Sequence, residues 1–517
     1  MAYRFPNNGL WTGVHERKLE NPVFYQPGGH HPVHLGDLLG DNTQYRVLHK
    51  LGTGGFGNVW LCRVIGPDPQ EYVAVKVVTA SSPDDDSTRY DNEAQNVRRL
   101  LELAETEKEP ELKRLCLLPT DQFVIEGPNG SHQCLIYPVA GPPVGQMFLK
   151  AENPTKILRG LVRQAAEAMA VLHRHGICHG DFRPSNILLR LDGVNGLDEP
   201  EILEQFGHPS VTELFLVDGF PQPGASAPDY LVIPAQNEEN TLASGEQLCV
   251  IDFGEAFEAT SPPPGGVGIP LPYCAPEIIL ESGKCGFASD IWALAATMFE
   301  IRFGMRLFEL FDNDPDDYLV CLVDMFGAMP EPWWSTTWRN RRSAYTDELD
   351  PEDGRPVLVH EECAGNRKTL LGLMPSEVMH FFYNDTDPNI TVEVSEREMV
   401  LFEDLLKGMM RWRPEDRLSA EEVLKHPWFR IEEAEEEGEW VRESTPKDEP
   451  RNEEKQKPNV GQQPNSAEVM RNDDKSRRAE EAAQIIRRSA ASKGVAKIKL
   501  EGVAAWMRKA FEWVRKS

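Results

Sequence analysis

The chain has 517 residues and carries 83 aspartates and glutamates against 54 lysines and arginines, which gives a formal net charge of −29. Such acidity argues against direct binding to nucleic acid, because the phosphate backbone would repel it, and favours a basic partner. With 40% apolar and 9% aromatic residues, the chain can bury one large two-lobed domain with appendages and does not have the composition of a disordered protein.

The nine cysteines never fall in a C-x-x-C pair, so neither a zinc site nor a disulfide framework is predicted. No apolar run approaches the roughly 18 residues of a membrane span, and the first residues lack the apolar core of a signal peptide. We therefore expect an intracellular protein, in the cytoplasm, the nucleus or both, and we expect it to be a monomer.

The predicted elements begin after an N-terminal arm. Residues 1–44 are rich in proline, glycine, histidine and asparagine and show little periodicity, which predicts an irregular arm. Residues 45–78 alternate strand, glycine turn, strand, loop and strand, which predicts a small antiparallel sheet. Helical spacing of apolar residues predicts a helix over 88–104, and a short strand within 134–138 leads into a linker.

The second part of the domain is predicted to be mainly helical. After Pro154, apolar residues at three- and four-residue steps mark the buried face of a long helix. Two stretches are predicted to be insertions: 191–246 is loop-like with scattered prolines, and 338–395 is polar and irregular with a helix-like patch at 378–382. The predicted domain spans 45–430, with an N-lobe of 45–138 and a C-lobe of 139–430.

The remaining residues divide into two segments of opposite charge. Residues 431–470 are predicted to be an acidic disordered linker, since 431–455 holds 11 acidic against 4 basic side chains. Residues 471–517 hold 13 basic against 6 acidic side chains and place Trp506 and Trp513 on one face of a predicted basic amphipathic helix. This helix could dock on its own domain, in a partner's groove or on a membrane surface.

A glycine-rich motif, G-x-G-x-x-G-x-V, runs from Gly52 to Val59 between two predicted strands. Glycines allow backbone N–H groups to approach phosphate oxygens without obstruction by side chains. Alone, the motif could be an ordinary glycine-rich hairpin. A dinucleotide-binding loop does not fit, because such a loop opens a helix and this sequence continues as a strand after Val59.

A lysine in a strand follows this motif. Lys76 is flanked by apolar strand residues, and a lysine in such a place needs a partner for its charge. Glu93, on the helix that follows, is a suitable partner that would hold the ammonium group against two phosphates.

A third cluster supplies carboxylates. Residues 179–189 read H-G-D-F-R-P-S-N-I-L-L, and residues 250–254 read V-I-D-F-G. Asp181 can accept a hydroxyl proton, whereas Asn186 and Asp252 offer hard oxygen ligands for Mg²⁺. A lone Asp–Asn pair usually marks a turn, but the glycine motif, lysine, glutamate and both aspartate motifs occur together in one order.

Together these residues resemble the eukaryotic protein-kinase fold across roughly residues 45–430. Ala275-Pro276-Glu277 matches the A-P-E motif, Asp290 begins the segment typical of the kinase helix F, and Arg417 matches the arginine that pairs with the A-P-E glutamate. The strand around Lys76 and the run 134–141 are similar to the SR-protein kinases of the CMGC group, especially their fungal members. The resemblance implies an α+β bilobal fold with a small antiparallel N-lobe carrying helix C and a large, mainly helical C-lobe.

By this resemblance the chain binds ATP and Mg²⁺. Lys76 would bind the α- and β-phosphates, Glu93 would position it, Asp181 would be the catalytic base, and Asn186 and Asp252 would hold the metal. The residues expected to line the nucleotide site are Leu51, Gly52, Thr53, Gly54, Gly55, Phe56, Gly57, Asn58, Val59, Ala74, Lys76 and Tyr137.

Several residues depart from the family pattern. Gly180 replaces the arginine of H-R-D, so no cation is available there for a phosphate on the activation segment, and we expect activity without such phosphorylation. Arg183 replaces the usual lysine and keeps a positive charge near the transferring phosphoryl group. Pro270 and Cys274 replace a threonine and an arginine that lie near the substrate in relatives, which leaves the substrate preference at the attacked hydroxyl open.

These observations predict an active serine/threonine kinase that transfers the γ-phosphoryl group of ATP to a protein hydroxyl. The acidity is complementary to a basic substrate, with Arg/Ser-rich splicing-related proteins as candidates, although acidity also maintains solubility. The alternative is a pseudokinase scaffold that acts through its insertions and its basic C-terminal helix.

Overall fold

Strands dominate the first part of the chain and helices the remainder. The described strands are β1 (Leu10–Thr12), β2 (Leu38–Leu39), β3 (Tyr45–Gly54), β4 (Gly57–Val64), β5 (Tyr72–Val78), β6 (Asp121–Gly127), β7 (Gly130–Pro138), β8 (Ala140–Pro143), β9 (Ile177–Cys178), β10 (Ile187–Leu191), β11 (Val211–Leu216), β12 (Tyr230–Val232), β13 (Ala243–Val250), β14 (Phe257–Glu258), β15 (Tyr345–Leu349), β16 (Pro356–Leu358), β17 (Glu377–His380) and β18 (Ile390–Glu393). The described helices are α1 (Thr88–Glu105), α2 (Pro110–Leu115), α3 (Pro154–Arg174), α4 (Glu199–Phe206), α5 (Pro276–Leu280), α6 (Phe287–Phe303), α7 (Pro315–Phe326), α8 (Arg341–Ala344), α9 (Leu370–Leu373), α10 (Glu396–Met409) and α11 (Ala420–Val423). The computed structural model describes residues 8–12, 19–42, 44–80, 88–105, 110–144, 154–217, 219–235, 243–310, 313–351, 355–359, 369–380 and 390–431.

The alternating apolar residues after Tyr45 form the antiparallel sheet that the sequence predicts. Six strands pair in the order β2-β3-β4-β5-β7-β6. Alternation sends successive side chains to opposite faces of the sheet. On strand β5, Val75 and Val77 therefore join the buried apolar cluster on one face, while Lys76 lies between them in sequence and belongs to the other face.

The large lobe is built around helix α6, which is apolar on every side and buried almost throughout. A helix of this composition is stable only when other elements surround it. Helix α3 packs against it. Arg302 near the end of α6 donates hydrogen bonds of 2.7 and 2.9 Å to the two carboxylate oxygens of Glu398 on α10, in a buried pair. The α+β, two-lobed architecture predicted from the sequence is confirmed.

The expectation of an irregular N-terminal arm needs correction. Strand β1 pairs antiparallel with β11, with Leu10 opposite Leu216, and β2 pairs with β3, with Leu38 opposite Arg46. The partner of β1 lies in the predicted insertion 191–246, far along the chain. Periodicity within the arm carries no signal for a pairing of that kind.

The insertion 191–246 also has more structure than the predicted loop. It contains helix α4 and two strands, β11 and β12. These two strands form a three-stranded sheet with β1. The helix begins with a capping box, in which the Asp198 side chain accepts a hydrogen bond of 2.9 Å from the Glu201 N–H and the Glu201 carboxylate accepts one from the Asp198 N–H. The sequence Asp-Glu-Pro-Glu before an apolar run is a signature of such a start, and our sequence analysis missed it.

In the second insertion, 338–395, the described residues form two antiparallel strand pairs, β15 with β16 and β17 with β18, and the short helices α8 and α9. The prediction of a helix-like patch at 378–382 is wrong for residues 378–380, because these residues belong to β17, which pairs with β18. Short apolar runs do not distinguish a helix from a strand by themselves, and here a cross-strand partner decides. Residues 381 and 382 lie outside the described residues.

The chain divides into two units, Met1–Glu443 and Ser444–Ser517. The predicted acidic linker (431–470, apart from Ile431) and the predicted basic helix (471–517) lie outside the described residues. Among the described helices, none is long and apolar enough to cross a membrane.

Candidate active site

Asp290 near the start of helix α6 anchors the loop that carries Asp181. Its carboxylate accepts hydrogen bonds from the main-chain N–H groups of His179, at 2.7 Å, and Gly180, at 3.0 Å. The His173 ring nitrogen Nε2 lies 3.1 Å from the same carboxylate. Because Asp290 is buried and helix α6 is the centre of the lobe, the loop is fixed to the core of the fold.

The Asp181 carboxylate is held by two side chains of its own loop. Arg183 donates from Nε, 2.9 Å from each carboxylate oxygen, and Asn186 donates from Nδ2 at 2.8 Å to Oδ2 and at 2.8 Å to the Asp181 main-chain oxygen. Burial raises the pKa of Asp181 above its ordinary value, and the Arg183 charge opposes this shift. Asp181 is thus a buried carboxylate with its oxygens oriented by donors, as a general base requires.

Strand pairing brings Asn186 beside Asp252. The Ile251 N–H donates to the Asn186 main-chain oxygen at 2.9 Å, and Ile187 lies opposite Val250 in the β10–β13 register. Asp252 adopts φ 64°, a left-handed conformation that is uncommon outside glycine and is concentrated at functional sites. Asn186, which precedes β10, and Asp252, which follows β13, therefore lie at the same end of this strand pair.

Lys76 links the two lobes through carboxylates. Its Nζ lies 2.6 Å from Glu93 Oε1 on helix α1 and 3.1 Å from Asp252 Oδ1. Burial works to lower the pKa of Lys76, but the charges of Asp252 and Glu93 outweigh it and raise this pKa above its ordinary value. The Lys76 charge in turn lowers the pKa of Asp252, so that carboxyl group is ionised at neutral pH.

The glycine-rich motif forms the hairpin between β3 and β4, and β4 pairs with the strand β5 that carries Lys76. Gly54 lies opposite Gly57, and Val59 lies opposite Lys76 across β4 and β5. Gly57 has φ +152°, and a Cβ on it would lie 2.3 Å from the Val77 carbonyl oxygen, so only glycine fits there. In contrast, Cβ atoms built on Gly52, Gly54 and Gly55 would meet no atom within 4 Å, which leaves their backbone open for a ligand.

Most of the predicted nucleotide-site residues lie on this hairpin or on the adjoining strands. Leu51 to Val59 lie on or between β3 and β4, and Ala74 on β5 is directly opposite Tyr137 on β7. Asn58 differs from the expectation. This residue is 2% exposed, so its side chain is buried in the protein rather than open to a ligand.

The donor set at the ends of β10 and β13 fits Mg²⁺. Asn186 offers an amide oxygen and Asp252 an ionised carboxylate, and hard oxygen donors of this kind suit Mg²⁺, which binds through few protein ligands together with waters and phosphate oxygens. In the part of the chain that the structure describes, no group of three or more His, Cys, Asp or Glu residues could hold a metal.

Sequence reasoning missed Asn96, three residues after Glu93 on helix α1. Its Nδ2 donates to the main-chain oxygens of Phe253, at 3.1 Å, and Ala256, at 2.6 Å. Residues three apart lie on one face of a helix, so Glu93 and Asn96 both face the segment that carries Asp252. The sequence contains this spacing, but nothing in it identifies the two carbonyl partners.

The segment after Asp252 is held by contacts within the chain. Strand β14 pairs with β9, the Glu255 carboxylate accepts from the Gly268 N–H at 2.7 Å, and Glu258 forms an ion pair with Arg99 on helix α1. Gly180 has φ +78°, and a Cβ on it would lie 2.3 Å from the Glu255 carbonyl oxygen. The close approach of these two loops explains the glycine at this position.

The predicted pair between Glu277 and Arg417 is present. Arg417 donates from two nitrogens to the two oxygens of Glu277, both at 2.7 Å, and both side chains are buried. Ser289 also donates to Glu277, at 2.9 Å. This cluster fastens the end of the segment to helix α6.

Comparison with known proteins places this arrangement in a family context. Residues 45–208 and 237–429 match the protein kinase domain family. The chain is 24% identical over 446 residues to the serine/threonine-protein kinase SRPK of Physarum polycephalum, which covers 78% of this chain and 90% of that protein. It is 33% identical over 182 residues to SRSF protein kinase 3 of Homo sapiens, covering 34% of this chain and 30% of that protein. It is 26% identical over 411 residues to the dual specificity protein kinase CLK2 of Homo sapiens, covering 78% and 66% respectively.

Proposed function

Since this chain belongs to the protein kinase family and is a serine/threonine kinase of the SR-protein-kinase type, we propose that the residues around Asp181 and Lys76 transfer the γ-phosphoryl group of ATP to serine or threonine in basic, Arg/Ser-rich proteins. The pseudokinase alternative has no support from the relatives, which are named as kinases. The restriction to fungal relatives stays a prediction.

One observation carries the proposal. Lys76, Asp252, Asn186 and Asp181 form a continuous chain of contacts: Lys76 bonds to Asp252, the residue before Asp252 bonds to Asn186, and Asn186 bonds to Asp181. These are the four residues that the sequence singles out for phosphate, metal and proton. The convergence of these four residues from three separated segments is what the positioning of a nucleotide and a hydroxyl requires.

We assign Asp181 to the acceptor hydroxyl. As the hydroxyl oxygen attacks phosphorus, its proton passes to the Asp181 carboxylate, whose pKa is raised by burial and which is therefore a stronger base than an exposed aspartate. Arg183 holds both oxygens of that carboxylate and leaves a positive charge beside the phosphoryl group. Catalysis then depends on orientation and charge neutralisation rather than on a covalent enzyme intermediate.

Lys76 would bind the α- and β-phosphates, and Glu93 would hold Lys76 in place. The open backbone of the glycine hairpin would also contact the phosphates. Asn186 and Asp252 would hold Mg²⁺. When bound there, the ion would neutralise charge on the phosphate oxygens.

Two arguments support a basic substrate. The net charge of −29 attracts cationic segments and raises their rate of encounter. The relatives include SRSF protein kinase 3, whose name refers to SR-type splicing factors. We propose the cytoplasm and the nucleus as the locations of this activity, and a monomer as its form.

A comparison of peptides tests this function. The protein is incubated with Mg²⁺-ATP and either an Arg/Ser-repeat peptide or a proline-directed peptide of equal length, and phosphate incorporation at serine is measured. We expect the Arg/Ser peptide to be preferred by about tenfold or more in kcat/KM. Equal or reversed rates contradict the substrate class, and no incorporation into any peptide with nucleotide bound contradicts the activity itself.

A further inference from the structure

The N-terminal arm covers the face of the small-lobe sheet opposite the nucleotide side. We use the name N-terminal strap for residues 19–35. Val33 of the strap is buried in one cluster with Val47, Trp60 and Val75 of strands β3, β4 and β5. The strap therefore completes the apolar packing of the sheet that carries the glycine hairpin.

A buried ion pair joins the strap to the strand that leads into the hairpin. Glu20 pairs with the ammonium group of Lys50, and both side chains are almost fully buried. Lys50 lies immediately before Leu51, and its Nζ is 5.1 Å from the centroid of the Trp60 ring on β4. A buried ammonium group without its carboxylate would be strongly unfavourable, so the two segments are coupled.

Tyr25 supports this ion pair from within the strap. Its hydroxyl donates a hydrogen bond of 2.7 Å to Glu20 Oε1, and the residue is 1% exposed. Asn58, which lies opposite Thr53 within the glycine motif, is close enough to lower the pKa of Tyr25 against the larger effect of burial, which raises it. Tyr25 therefore orients the carboxylate that neutralises Lys50.

The tip of the hairpin is connected to the strap through two main-chain bonds. The Phe56 carbonyl oxygen accepts from the Thr79 N–H at 3.1 Å, and the next residue, Ala80, donates to the Gly29 carbonyl oxygen at 2.9 Å. The beginning and the tip of the glycine hairpin are each linked to residues 20–29.

We propose that the N-terminal strap is a positioning element for the nucleotide: Glu20 and Tyr25, acting through Lys50, hold the glycine hairpin in the conformation that binds the phosphates of ATP. This inference rests on the proposed function. The physical reason is that glycines have large conformational freedom, and ordering them must be paid for by binding energy unless other contacts order them beforehand. The strap does so from the face that the nucleotide does not touch.

The test replaces one hydroxyl group. In Tyr25→Phe the ring packing is kept and the hydrogen bond to Glu20 is lost. We expect the KM for ATP to rise by about three- to tenfold, the range of one lost buried hydrogen bond. We expect kcat at saturating ATP and the KM for the peptide to stay unchanged. Tyr45→Phe is the matched control, because Tyr45 stacks on Phe123 at the other end of strand β3, and it should behave as wild type.

A second measurement does not depend on catalysis. Amide hydrogen exchange over residues 51–59 in the nucleotide-free protein should be faster in Tyr25→Phe and in Glu20→Gln than in wild type, with strand β13 unchanged as the internal reference. Unaltered exchange together with unaltered KM for ATP overturns the strap's role, and so does a fall in kcat alone. Inactive wild-type protein would defeat the proposed function, while the exchange result would still decide for or against the strap.

Discussion

Arg417 and Glu277 form a doubly hydrogen-bonded ion pair, with both N–O distances at 2.7 Å and neither side chain in contact with solvent. The cost of burying two charges is offset only while both are present. Removing one partner leaves the other charge buried and unpaired.

Arg417→Met should therefore lower the free energy of unfolding by about 3–5 kcal/mol. Urea unfolding followed by tryptophan fluorescence measures this change. Arg413→Met is the control, because the ion pair of Arg413 with Glu415 is exposed and 3.9 Å long and should matter by less than about 1 kcal/mol. Equal losses in the two variants would contradict the importance of burial.

Asp181→Asn removes the proposed base while keeping its shape. We expect kcat to fall by about 100-fold or more, with thermal stability retained, because the amide cannot accept the hydroxyl proton. Lys76→Met should abolish phosphorylation by removing the cation between Glu93 and Asp252. Peptide phosphorylation measures both effects. Lys407→Met, at an exposed helical pair with Glu403, is the control; turnover near wild type in Asp181→Asn would refute the assignment.

Asn96→Ala should loosen the segment that carries Asp252, because the carbonyl groups of Phe253 and Ala256 lose their donor. We expect kcat to fall by about tenfold and the Mg²⁺ concentration for half-maximal rate to rise, since Asp252 is a proposed metal ligand. A Mg²⁺ titration of the rate shows both. Asn340→Ala, which removes a side-chain amide that donates to Asp316 near the surface, should change neither; a matching response there would point to a general loss of stability.

The protein should be active without phosphate on the segment after Asp252. That segment is already held by β14–β9 pairing and by the carboxylates of Glu255 and Glu258, and Gly180 offers no cation for a phosphate. Phosphatase-treated protein, checked by mass spectrometry, should keep kcat within about twofold of the untreated protein. A large loss that returns on rephosphorylation would show that these contacts do not suffice.

His30 in the N-terminal strap should make stability depend on pH. Burial lowers the pKa of His30 to about 4, from an ordinary value of 6.5, although Glu20 opposes this shift. Between these values the unfolded chain binds more protons than the folded one, so the free energy of unfolding falls as pH is lowered from 6.5 towards 4. The loss should reach up to about 3 kcal/mol. Urea unfolding at several pH values measures it, and His30→Asn should flatten that part of the curve; an unchanged slope would assign the effect to other groups.

Local chemistry made several features predictable from the sequence alone. A glycine motif between strands, a strand lysine and two aspartate motifs have fixed spacings because phosphate, metal and hydroxyl must be met by particular atoms, so their identity is visible without coordinates. The alternation of apolar residues after Tyr45 predicted the antiparallel sheet. The glycine motif between two predicted strands predicted a turn that includes Gly57. For these reasons the family and its α+β fold could be predicted from the sequence.

Other features depend on partners that are distant in the chain, and only the tertiary structure decided them. Asn96 acts on two carbonyl groups, Asp290 on two N–H groups, and Glu20 on Lys50; each partner group belongs to a different segment. Strand β1 of the N-terminal arm exists because the insertion 191–246 supplies its neighbour, β11. A hydrogen bond or an ion pair requires contact, and contact between remote segments is created by folding rather than by local preference.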